Sequence, residues 1–169
     1  AQGEGLDHHP DPSQGYRALA GMAKAGIALN GGDEAKAAAE LKQVAGDVKA
    51  AQAFRDVAAM KQLRIEFDKL PPAEVLKRTE PYLAGDSPWF PIAGELAALA
   101  HLKAGAPDKA GALFYRIAAD ERSPQSLRAR AEQMAATLGQ DVTKIDDERR
   151  RKAEAEAKAD GEAPAIVQE

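Results

Sequence analysis

Apolar residues recur along this chain at spacings of three and four, the period of a helix with one buried face, and the pattern is punctuated by Gly and Pro. A first helix is predicted from about Tyr16 to Leu29, with Leu19, Met22, Ala23 and Ile27 on the inward face. Asn30-Gly31-Gly32 ends it, because Gly takes the left-handed conformation that closes a helix without steric cost. Asp33 is placed as N-cap of a second helix whose stripe is Ala37, Leu41, Val44, Ala45 and Val48. A third, from about Ala51 to Asp68, is apolar on more than one face through Phe54, Val57, Ala58, Met60, Leu63, Ile65 and Phe67. That distribution predicts the most central helix of the protein.

Leu70-Pro71-Pro72 breaks the chain, since neither proline donates a hydrogen bond and each disfavours helix in the residue before it. A fourth helix is expected from Pro72 to Leu83, shortened or kinked by Pro81. Ser87-Pro88 and Ser123-Pro124 read as matching start signals, a capping hydroxyl followed by a preset φ. They open a fifth helix, about Trp89 to Ala104, and a seventh, about Pro124 to Leu138. Between them Gly105-Ala106-Pro107 turns into a sixth with Ala110, Leu113, Phe114, Ile117 and Ala118 inward. Residues 1–15 read as a flexible leader, 16–140 as the helical domain, and 141–169 as a solvated, charged tail with no apolar face to dock.

The pattern also repeats. At a fixed offset of 73 residues Ala20 falls on Ala93, Gly21 on Gly94, Gly32 on Gly105, Lys36 on Lys109, Asp47 on Asp120, Gln52 on Gln125 and Arg55 on Arg128. Leu41 on Phe114, Val44 on Ile117 and Phe54 on Leu127 are conservative pairs. Alanine matches arise by composition, but Gly, Asp, Gln and Arg in one ungapped register do not. Such a repeat predicts a stacked helical array, an architecture whose product is a surface for other proteins.

Composition narrows the partners. With 44% hydrophobic, 30% charged and 5% aromatic residues in 169, the chain has material for one helical domain whose burial comes from close helix approach. A net charge of −4 disfavours nucleic acid and anionic membrane surfaces as partners. Without cysteine there is no disulfide, thiolate metal site or Cys nucleophile. No stretch reaches the roughly 18 continuous apolar residues of a membrane span, so the chain as it stands is expected to be soluble.

Within each copy a small residue is followed at set intervals by Gly, Ala and two apolar residues: Ala25, Gly32, Ala37, Leu41, Val44, and again Ala98, Gly105, Ala110, Phe114, Ile117. This resembles a divergent tetratricopeptide unit of about 34 residues, in which small residues let two antiparallel helices approach and Gly makes the turn. The expected fold is therefore all-α, a tetratricopeptide-like α-solenoid of about seven antiparallel helices. Ser87-Pro88-Trp89-Phe90, Ala93-Gly94-Glu95-Leu96, Phe114, Arg116 to Glu121, Leu127-Arg128, Arg130-Ala131 and Gln133-Met134 carry a narrower likeness. Together with Gly15 to Ala20, they resemble the tetratricopeptide-like domain of the YfgM-type ancillary subunit of the bacterial Sec translocon. The resemblance implies an inner-membrane protein with this domain in the periplasm, contacting the translocon, secretory or envelope proteins and periplasmic chaperones. It also implies one N-terminal membrane helix, which this chain does not contain.

Candidate chemistry is sparse. Asp7, His8, His9 and Asp11 could ligate a metal, but adjacent histidines in a Pro-containing leader lack fixed spacing, so no metal or cofactor is expected. His101 reads as a packing or surface histidine. No nucleophile elbow, P-loop, dinucleotide fingerprint or zincin motif occurs, so no catalysis is expected. Trp89-Phe90 is either a hydrophobic staple at a helix start or an anchor for a partner. Arg149 to Lys152 is offset by Asp146, Asp147, Glu148 and Glu154 and reads as a mixed-charge segment. Repeat geometry places a partner groove along the first helix of each pair, with Ile92, Glu95, Leu99, Leu102 and Lys103 in the second copy and Arg64 on the third helix. Two functions fit: a non-catalytic protein-interaction scaffold, or a self-assembly module whose groove is filled by a second copy.

Overall fold

The computed structural model describes residues 12–84, 87–147, 150–151 and 154–155, and they are helical with no strand among them. In chain order the helices are α1 (Pro12–Asn30), α2 (Glu34–Gly46), α3 (Gln52–Glu66), α4 (Pro72–Thr79), α5 (Phe90–Lys103), α6 (Pro107–Ala119) and α7 (Gln125–Thr137), with a 3-10 turn at Glu80–Tyr82. The stretch expected as one domain divides into two compact units that part between Pro71 and Pro72. In the first unit α2 packs between α1 and α3, and in the second α5 packs on α4 and α6 and α6 on α7.

The repeat is present in the backbone of the second helix of each copy and of the turns on either side of it. Helix α2 spans 34–46 and α6 spans 107–119, the same interval shifted by the sequence offset. Gly32 and Gly105 take φ of +78° and +72°, the left-handed region that a residue with a Cβ enters only under strain. Each closes the preceding helix identically: the Asp33 N–H donates to the Ala28 carbonyl at 2.9 Å, and the Ala106 N–H to the His101 carbonyl at 2.9 Å. Asp47 and Asp120 end the second helices, each accepting from the backbone N–H two residues on at 3.0 Å. Asp33 caps α2 as expected, accepting from the Lys36 N–H at 2.9 Å.

Several expectations change. On α1 the inward face is Ala18, Ala25 and Ala28 with Gly21 and Met22 beside them, whereas Leu19 is 49% and Ile27 72% exposed. The cause is close approach: a Cβ on Gly21 would stand 2.5 Å from Val44 Cγ2, so only small residues fit between α1 and α2 and the large ones turn outward. Val48, expected inward, lies beyond the end of α2 and is 80% exposed. The central helix is α5 and not α3. Helix α5 buries eight of its 14 residues, against five of 15 for α3, two of those being Asp56 and Gln62. Neither serine caps its helix: Ser87 accepts from the Trp89 N–H at 3.2 Å but stands ahead of α5, whose N-cap is Trp89, and the buried Ser123 hydroxyl finds no partner among the described residues.

Both ends change as well. Helix α1 starts at Pro12, inside the expected leader. The domain also runs past residue 140: Asp141 accepts from the Thr143 N–H at 3.3 Å and from its hydroxyl at 2.5 Å, starting a helical turn that sinks Ile145, 1% exposed, into the second core beside Val142. Gly111 makes room for this return, since a Cβ there would meet Gln140 Nε2 at 3.0 Å and Leu138 Cβ at 3.2 Å. Pro81 acts as expected, with α4 ending at Thr79 and giving way to the 3-10 turn.

Candidate functional site

The second copy does not hold the groove the sequence suggests. Phe90 is 2% exposed, and the Arg116 guanidinium lies over its ring at 4.4 Å while donating to the Leu83 carbonyl at 2.9 Å. Phe90 is thus held inside its own unit and is not exposed as an anchor, while Trp89 beside it is half-buried. Glu95 is taken by Arg130 of α7, which donates through Nε at 3.0 Å and a terminal nitrogen at 2.5 Å. Leu99 and Leu102 pack against the second core, and Lys103 is exposed at the end of α5. Arg64 belongs to the first unit, apart from the other six.

Arg64 does line an open site. In the first unit α1, α2 and α3 leave a cleft of about 240 Å³ walled by Met22, Ala25, Gly26, Leu29, Leu41, Ile65, Lys61 and Arg64. Its floor is apolar, and its mouth carries two cations one helical turn apart on α3. Lys61 and Arg64 are exposed, and neither has a carboxylate partner among the described residues.

The repeat register shows what occupies the equivalent place in the second copy. Gly26 corresponds to Leu99, Leu41 to Phe114, Lys61 to Met134 and Ile65 to Leu138; in the second unit Phe114 joins the core, and Leu99, Met134 and Leu138 pack against it. A Cβ on Gly26 would meet nothing within 4 Å, so the space that Leu99 fills in one copy is left open in the other. Aligning the copies for size, and not only for similarity, exposes Gly26 and Lys61, which the periodicity alone passes over.

His101, partly buried at the end of α5, has its pKa lowered by desolvation and then by the Lys109 ammonium, so the neutral imidazole is favoured. Asp7, His8, His9 and Asp11 lie outside the described residues, among which no group of three or more His, Asp or Glu is placed to hold a metal ion. No helix of the described residues is long and apolar enough to cross a membrane. Arg150 pairs with Asp147, in keeping with a mixed-charge segment. No family model, curated protein or solved structure matches the chain.

Proposed function

We propose that this chain is a non-catalytic protein-interaction scaffold of tetratricopeptide-like design, and that the first unit's cleft is its recognition site. The observation that carries this is the open apolar cleft, with Lys61 and Arg64 at its mouth lacking a carboxylate partner among the described residues, in contrast to a second copy in which the equivalent place is occupied by larger side chains. An apolar floor with cations at the rim suits a peptide segment that inserts one aliphatic side chain and sets a carboxylate beside it. Following the segment resemblance, the partners are secretory or envelope proteins, the translocon and periplasmic chaperones, and the setting is the periplasmic face of a bacterial inner membrane.

Charge reversal tests the recognition. Arg64 is exposed, so Arg64→Glu leaves stability nearly unchanged while opposing a like charge to an acidic ligand. Fluorescence anisotropy with paired leucine-containing peptides, one acidic and one basic, reads the preference. The expected result is binding of the acidic peptide by the natural chain, weakened about tenfold or more in the variant with a gain for the basic one. Identical preference in both proteins removes the cleft from recognition.

A further inference from the structure

On the side of α1 turned away from its unit, Tyr16, Leu19, Ala20, Ala23 and Ile27 form an exposed stripe without a charge, Tyr16 being 73% and Ile27 72% exposed. The corresponding positions on α5 are Trp89, Ile92, Ala93, Leu96 and Ala100. There α4 packs on α5, and Ala93, Leu96 and Ala100 are 0%, 7% and 0% exposed. The same helix face is thus covered in one copy and bare in the other. Its relief suits a helix, because small Ala20 and Ala23 sit between larger Tyr16 and Ile27.

We propose that a second copy of this chain covers that face, α1 against α1 in an antiparallel pair about a two-fold axis. An axis through the Ala20–Ala23 step sets Tyr16 of each copy against Ile27 of the other, and Ala20 against Ala23, so large meets large at the ends and small meets small at the close approach. Charge agrees with size. The only charges on α1 are Arg17 and Lys24, and they line one crevice with Glu40 of α2 and Asp47 just beyond its end. Arg17, Lys24 and Glu40 make no ion pair among the described residues, and the Asp47 carboxylate accepts from the Lys49 backbone. Gly21 beside Val44 fixes the level of α2 on α1. In that register the two-fold brings Arg17 of one copy alongside Glu40 of the other, and Lys24 alongside Asp47. Cations that form no ion pair among the described residues of one copy thus meet Glu40 and Asp47, which form none there either, in the next.

A single helix pair lies at the small end of specific interfaces, so association at micromolar concentration is expected. Sedimentation equilibrium of the full chain tests it, with Ala23→Glu, Arg17→Glu and the swap Arg17→Glu/Glu40→Arg compared. All three positions carry exposed or half-exposed side chains, and far-ultraviolet circular dichroism verifies unchanged helix content. The expected results are a dimer for the natural chain, a monomer for Ala23→Glu, dimerisation weakened about tenfold by Arg17→Glu, and recovery in the swap. A natural chain that stays monomeric overturns the proposal. So does a dimer indifferent to Ala23→Glu, and so does a monomer that cofloats with anionic vesicles through this face, which assigns the stripe to lipid.

Discussion

The two copies share the limits of their second helix, the turn glycine before it and the aspartate that ends it, yet one has the space between its helices filled and the other leaves it open. In the second, Leu99, Phe114, Met134 and Leu138 fill the space between helices, Glu95 and Arg130 tie α5 to α7, and residues 138–145 fold back to close the core. In the first, Gly26 leaves a cleft, Leu19 and Ile27 face outward, and Lys61 and Arg64 have no carboxylate partner among the described residues. The difference teaches that a repeat's backbone is specified by few positions, the turn glycines and the small residues at the crossing. The remaining positions are free to decide whether a copy serves stability or recognition.

The strongest way to break this contrast is to reopen the finished copy. Ile145→Ala removes a side chain that is 1% exposed, and the expected loss is about 2–5 kcal/mol in urea unfolding. A loss below about 0.5 kcal/mol, as at an ordinary surface site, means that the return of the chain after α7 contributes nothing. Overfilling the crossing comes next. Ala110 is 0% exposed, so Ala110→Leu is expected to cost about 1–3 kcal/mol, whereas Ala112→Leu on the exposed side of the same helix changes the midpoint little. Equal midpoints for the two variants contradict the shared register.

The smallest expected effect concerns His101, whose counterpart in the first copy is Ala28. Burial and Lys109 lower its folded pKa below the usual value near 6.5, so the unfolded chain binds the extra proton first as pH falls. Stability therefore rises with pH through the window just under 6.5 and levels off above it. His101→Ala, which copies the first repeat, should flatten that part of the pH profile, as urea midpoints through the window would record. A slope that survives belongs to another group.

The sequence was legible where local chemistry decides. The Gly32 and Gly105 turns, the Asp33 cap, the Pro81 stop and the two-copy register follow from backbone rules that act within a few residues. The face of α1 was not legible, because hydrophobic periodicity assumes that the largest apolar residues go inward. Here Gly21 against Val44 draws the helices so close that alanines take the interior. Ile145 was hidden for a related reason: one apolar residue at the start of a charged run gives no periodic signal, although Asp141 and Thr143 ahead of it mark a helix start. Among the candidate site residues, Arg64 lines the open cleft, while Phe90, Glu95, Leu99 and Leu102 are held by their own unit. Nothing in their spacing distinguishes a groove that is open from one that is filled.

The most direct test makes the first copy imitate the second at one position. Gly26→Leu places there the side chain that Leu99 supplies to its own unit, in a space where an added Cβ meets nothing within 4 Å. Removing a helix-interior glycine alone gives about 1 kcal/mol, and burial of the new side chain on Leu41 and Ile65 adds to it. Urea unfolding and titration with the acidic leucine-containing peptide, run on the same variant, read both consequences at once. The expected result is a raised midpoint together with loss of peptide binding. A lowered midpoint, or binding equal to that of the natural chain, contradicts the view that the first copy is the open one and that its cleft is where partners dock.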